Sequence, residues 1–170
     1  MGEVRLRIVG GEGGIEMWTL RDAASSEIDG LPTAVSGERP PHPGSHPNGV
    51  IGVDHLVVLT ADLKRTVAAL EDAGVDLRRI RAPEEPGPPL RQAFFRLGEV
   101  ILEVVESSRA EEGHARFWGI TFAVADIDAC AESLGERLGE IHDAVQAGRR
   151  IATVPREAGL GLPVAMISRN

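Results

Sequence analysis

Cysteine is almost missing from this chain of 170 residues: Cys130 stands alone, which excludes an intrachain disulfide framework and any cysteine-based zinc cluster. No apolar run approaches the roughly 20 residues of a membrane-crossing helix, and residues 1–14 lack the apolar stretch of a secretory signal. A cytoplasmic protein with no membrane partner is expected. A basic excess is missing too. Lys and Arg number 18 against 26 Asp and Glu, a formal net charge of −8. Nucleic-acid binders draw their affinity from a basic footprint on phosphates, so no nucleic-acid partner is expected. No nucleophile elbow or phosphate loop occurs, and the glycines at Gly10, Gly11, Gly13 and Gly14 have no helix after them, which excludes a dinucleotide site. Apolar material is plentiful. Hydrophobic residues make up 42% and charged residues 26%, enough for a sizeable core in one domain or two small modules.

The apolar residues fall into an order that nearly repeats. Residues 1–21 read as a β-hairpin: Val4, Leu6 and Ile8 alternate with Arg5 and Arg7, the glycines supply a turn, and Ile15 to Leu20 is a second strand. Residues 22–49 carry Pro32, Pro40, Pro41, Pro43 and Pro47 without periodicity and read as an irregular linker, His42 and His46 being solvated loop residues within it. Residues 50–106 form a first module. Val50 to Leu59 is a strand, and Thr60 or Asp62 caps a helix with Leu63, Val67 and Leu70 on one face and Gly74 as its stop. Leu77–Arg81, Arg91–Leu97 and Val100–Glu106 are three further strands. Residues 117–168 repeat that order. Phe117–Val124 is a strand and Asp126 caps a helix with Ile127, Cys130, Leu134 and Leu138 along one face. Strands follow at Glu140–Gln146, Arg149–Pro155 and Leu162–Ser168. The junctions Asp62-Leu63 and Asp126-Ile127 lie 64 residues apart. Duplication fixes the architecture before any function is considered.

The strings Val53-Asp54-His55-Leu56-Val57-Val58 into Asp62-Leu63, Val100 to Val105, and Gly119-Ile120-Thr121-Phe122-Ala123-Val124 into Asp126-Ile127 carry a resemblance. In order and spacing the chain resembles the vicinal oxygen chelate superfamily, which includes glyoxalase I, extradiol dioxygenases, methylmalonyl-CoA epimerase and bleomycin-resistance proteins. The resemblance spans Val50 to Ser168. It implies an α+β fold: two tandem βαβββ modules forming a curved open mixed sheet, helices on the outer face, here with an N-terminal β-hairpin extension. It also implies a homodimer and a small-molecule ligand held in an inter-module cavity.

Strand alternation then sends Leu56, Val58, Leu102 and Val104 to the helices and His55, Val57, Glu103 and Val105 to the open face. The resemblance makes His55 and Glu103 half of a metal site, and an imidazole with a carboxylate suits a divalent first-row metal. The positions for the other two ligands hold Gly119 and, near the last strand, Ala165 or Met166, none of which carries the required imidazole or carboxylate. His114, His142 and Glu157 are the candidates for a replacement, each with an ordinary reading as a surface residue. Without a metal, a His55–Glu103 hydrogen bond satisfies both groups and leaves Glu103 as a general base. For ligand binding the candidates are Gln92, Phe94, Trp118, Thr121 and Arg150. Whether Gln92, Phe94 and Arg96 or Arg91, Phe95 and Leu97 share the open face stays undecided. Small residues at Gly119, Thr121 and Ala123 are expected to leave volume there. Two functions follow: a glyoxalase-like binder of a small organic molecule with an incomplete metal site, or a metal-dependent lyase, isomerase or dioxygenase using His55, Glu103 and a further ligand.

Overall fold

Across the two repeats, regular structure appears where the apolar alternation does. A computed structural model describes residues 4–11, 13–39, 44–82, 91–107 and 113–169, so His42 and the Pro-rich stretch 83–90 lie outside the described residues. The first half of the repeat is β3 (Val50–Thr60), α1 (Leu63–Asp72), β4 (Asp76–Arg81), β5 (Gln92–Leu97) and β6 (Val100–Glu106), preceded by β1 (Trp18–Arg21) and β2 (Thr33–Ser36). The second half is β7 (Arg116–Val124), α2 (Ile127–Leu134), β8 (His142–Asp143), β9 (Arg150–Thr153) and β10 (Val164–Ser168). Both helices start on an aspartate. Asp62 accepts from the Arg65 amide at 3.0 Å, and Asp126 accepts from the amides of Asp128 and Ala129 at 2.9 and 3.1 Å. Each cap satisfies backbone donors that a first helical turn leaves open. Gly74, at φ +82, stops α1 as expected. No described helix is long and apolar enough to cross a membrane.

Two expectations are corrected at the N-terminal side. Among the described residues the hairpin expected over 1–21 is not found: residues 4–11 carry no strand, and Ile8 is 97% exposed. Alternation describes a surface that could be half-buried, and from Arg5 to Gly11 this one is exposed. Instead β1 pairs in parallel with β2, a strand from the stretch read as linker. The Trp18 indole Nε1–H donates to Thr33 Oγ1 at 2.6 Å across that pair. In the second half, the strand expected over Glu140–Gln146 shrinks to the two residues of β8, which pairs with β9.

The chain divides into two compact units. The first comprises residues 1–14, 40–55 and 119–170, the second 15–39 and 56–118, so β3 gives residues to both. In the second unit the strand order is β4-β5-β6-β3, and the β4–β5 and β5–β6 pairs are antiparallel. Leu63, Val67 and Leu70 of α1 share a core with Val58, Ala93, Phe95, Leu102 and Val104. Ile28, Leu31 and Trp18 extend that core, with Trp18 edge-on to Phe117 at 5.2 Å. Asp29, at φ +45 and with a side chain only 1% exposed, ties this extension to α1. It accepts from Arg65 Nε at 2.7 Å and from the Thr66 hydroxyl at 2.5 Å. In the first unit the order is β3-β7-β10-β9-β8, with β7 and β10 parallel. The result is an α+β fold built on a mixed sheet, as the duplicated pattern predicts.

Candidate functional site

The second unit answers the question of faces. Phe95 and Ala93 are fully buried in the core with α1, so alternation places Gln92, Phe94 and Arg96 on the opposite face. The register of β6 against β5 sets Glu103 directly across from Phe94, Val105 across from Gln92 and Ile101 across from Arg96. On this half-buried face Gln92 Nε2 donates to Glu103 Oε1 at 2.6 Å. Glu106, one position past Val105, lies on the core side. There Glu106 Oε1 accepts from the Leu63 amide at 3.2 Å, and the carboxylate pairs with Arg91. Two carboxylates three residues apart on β6 therefore differ in role: one caps α1, the other lines the face away from it.

In the first unit, His55 has a partner that the sequence did not single out. Its Nδ1 lies 2.9 Å from Asp54 Oδ2, and Arg149 Nη2 donates to Asp54 Oδ1 at 2.5 Å. Arg149 Nε also donates to the Ser168 carbonyl at 2.7 Å, so one guanidinium joins β3 to the end of β10. Burial would push the Asp54 carboxyl up. The hydrogen bonds from His55 and Arg149, with the Arg149 charge, outweigh that and hold it below the ordinary carboxylate range. Against an ionised Asp54, which can only accept, His55 Nδ1 is the donor of that hydrogen bond. Asp54 is legible only as the residue before a strand histidine; Arg149, 95 residues away, left no local signal.

The remaining predicted residues fall in different places. Thr121 is buried on β7, opposite Ala165 of β10. Trp118, on the part of β7 that belongs to the second unit, is 43% exposed. Arg150 makes a two-pronged pair with Asp128 in the first turn of α2, at 2.9 and 2.6 Å. It therefore lies on the α2 side of β9, the side Thr153 does not share. His142 and His114 are exposed, His114 lying 3.6 Å from Asp29, and Glu157 sits in an exposed turn of 3₁₀ helix at Arg156–Ala158.

These residues do not fit a four-ligand metal centre. Among the described residues no group of three or more His, Cys, Asp or Glu side chains comes together, whereas catalytic zinc sites ordinarily have three protein ligands. Gly119 is also not a simple vacancy. A Cβ built there would sit 2.9 Å from the Pro163 carbonyl oxygen, so the volume expected beside it is already filled. Ile120 N–H donates to that same carbonyl at 3.1 Å, which holds it in place. Gly119→His is therefore expected to destabilise the fold by about 1–3 kcal/mol through overpacking, with no gain in zinc affinity by calorimetry. Submicromolar zinc binding with an unchanged melting temperature would contradict this.

No family model and no curated protein matches the chain. Solved structures do match in fold. A methylmalonyl-CoA epimerase from Mycobacterium tuberculosis is 18% identical, with a TM-score of 0.56 over 72% of this chain and 90% of that one. A Streptomyces coelicolor methylmalonyl-CoA epimerase variant in complex with 2-nitronate-propionyl-CoA is 21% identical, with a TM-score of 0.53 over 70% of this chain and 97% of that one. A hypothetical protein from Bacillus halodurans is 15% identical, with a TM-score of 0.54 over 69% and 94%. At these identities the likeness is one of fold.

Proposed function

We propose that this chain binds a small organic molecule on the face of the second unit that carries Gln92, Phe94 and Glu103. One observation supports the reading above the others: Phe94 is withheld from the core that takes Phe95 and is set beside a hydrogen-bonded amide–carboxylate pair. An aromatic wall with a few convergent polar groups is the usual form of a small-molecule site. The fold neighbours include an epimerase variant in complex with 2-nitronate-propionyl-CoA, so this architecture accommodates organic ligands. No metal is required by the reading.

A thermal-shift screen of small aromatic compounds, repeated on Phe94→Ala, tests it. Stabilisation of the parent protein that disappears in the variant is the expected result. Equal shifts in both proteins would move the site elsewhere. The alternative reading, a metal-dependent lyase, isomerase or dioxygenase using His55 and Glu103, needs a third donor that the described residues do not gather. Stoichiometric metal in protein purified without chelators, lost in His55→Ala, would establish that alternative instead.

A further inference from the structure

The registers of β4, β5 and β6 lay the second unit's open face out as rows. Arg81 stands opposite Gln92, which stands opposite Val105; Arg79 stands opposite Phe94, which stands opposite Glu103. A register shift between Leu77 and Arg79 in β4 brings Arg79 onto this face, and its guanidinium carbon sits over the Phe94 ring, 5.1 Å from the centroid. Arg96, next along β5 on the same face, and Arg81 make no ion pair among the described residues. The carboxylate of Asp76 is engaged by Arg78 at 2.8 Å. A chain with a formal net charge of −8 thus gathers unpaired guanidinium groups along one side of an aromatic ring, with a carboxylate on the other side.

We propose that this face takes the anion of a planar aromatic acid bearing a hydroxyl or amine across the ring from its carboxylate. The inference rests on the small-molecule reading above and gives it a substrate class. Arg79 and Arg81 hold the carboxylate, Phe94 supports the ring and Glu103 accepts the hydroxyl. Guanidinium groups match a carboxylate in both charge and fork geometry. Adjacent strands lie about 5 Å apart, so the Arg79 and Glu103 backbones are separated by about 10 Å. A benzene ring with para substituents bridges that span once the arginine leans inward over Phe94, the posture it already has. A neutral ring lacks the charge that the arginines answer, and a diacid sets its second carboxylate against Glu103.

Calorimetry with 4-hydroxybenzoate, benzoate and 4-hydroxybenzyl alcohol tests the proposal on the full-length protein. The expected order is hydroxybenzoate tightest, with the alcohol weaker by about tenfold or more, the worth of a charge-assisted contact. Arg79→Ala and Arg81→Ala should each weaken the acid by about tenfold while leaving the alcohol unchanged. Arg78→Ala, whose side chain is tied to Asp76, should leave both unchanged. Added salt should weaken the acid alone. If acid and alcohol bind alike and both are lost in Phe94→Ala, the anion preference is overturned while the small-molecule site stands. If none of the three compounds nor any neutral aromatic binds, both readings fall.

Discussion

Arg149→Met is expected to lower the unfolding free energy at pH 7 by about 3 kcal/mol, measured by urea denaturation. Removing one partner of a largely buried ion pair leaves the other desolvated without compensation, which costs about 3–5 kcal/mol. The side chains of Arg149 and Asp54 are each 14% exposed, so the lower end of that range applies. The Ser168 carbonyl loses its donor as well. Adding Asp54→Asn should return about 1–2 kcal/mol by removing the stranded charge. The effect should also follow pH with a definite sign. The folded-state value of Asp54 is held below 3.8, so Arg149 contributes fully above the unfolded value and progressively less as pH falls through the folded one. Parent and variant should therefore differ by a constant amount near neutrality and converge below about pH 4. A midpoint unchanged by Arg149→Met would show that the guanidinium is not what holds β3 to β10.

Phe95→Ala is expected to cost about 3–5 kcal/mol, while Phe94→Ala costs about 1 kcal/mol or less. The two residues are neighbours of one type on one strand, and only the face differs. Phe95 is fully buried among Leu63, Leu70, Leu102 and Val104, and truncating it opens a cavity that a close-packed interior cannot fill. Phe94 is partly exposed, and its described ring contact is with Arg79. Denaturation of both variants checks the assignment of faces directly, and with it the location of the candidate site. Equal losses in the two would mean that both rings pack in the core and that no aromatic is presented to a ligand.

What the sequence revealed of the fold came from local rules. Asp62 and Asp126 announce helix starts because a cap needs only a short side chain two or three residues ahead of the amide that it bonds. Val58, Leu102 and Val104 could be assigned to the helix side because alternation on a strand admits two answers and burial selects one. The candidate site was less legible. Phe94 and Phe95 could not be told apart until the core had chosen one of them. The partner of His55 proved to be the adjacent Asp54, and the group fixing Asp54 came from far along the chain. Such a pairing is decided by strand order, which no local pattern encodes. Gly119 misled for a related reason: a missing side chain suggested empty space, but the backbone at Pro163 had already taken it.

The Asp29 contact bears on where a fragment of this protein can be cut. A minimal fragment beginning at residue 50, where the repeat begins, would leave Arg65 and the Thr66 hydroxyl without the carboxylate they bond. It would also strip Ile28 and Leu31, which are 0% and 3% exposed, from the apolar surface that they cover. The unit of repetition is therefore shorter than the unit of folding, and expression trials should keep residues 15–39.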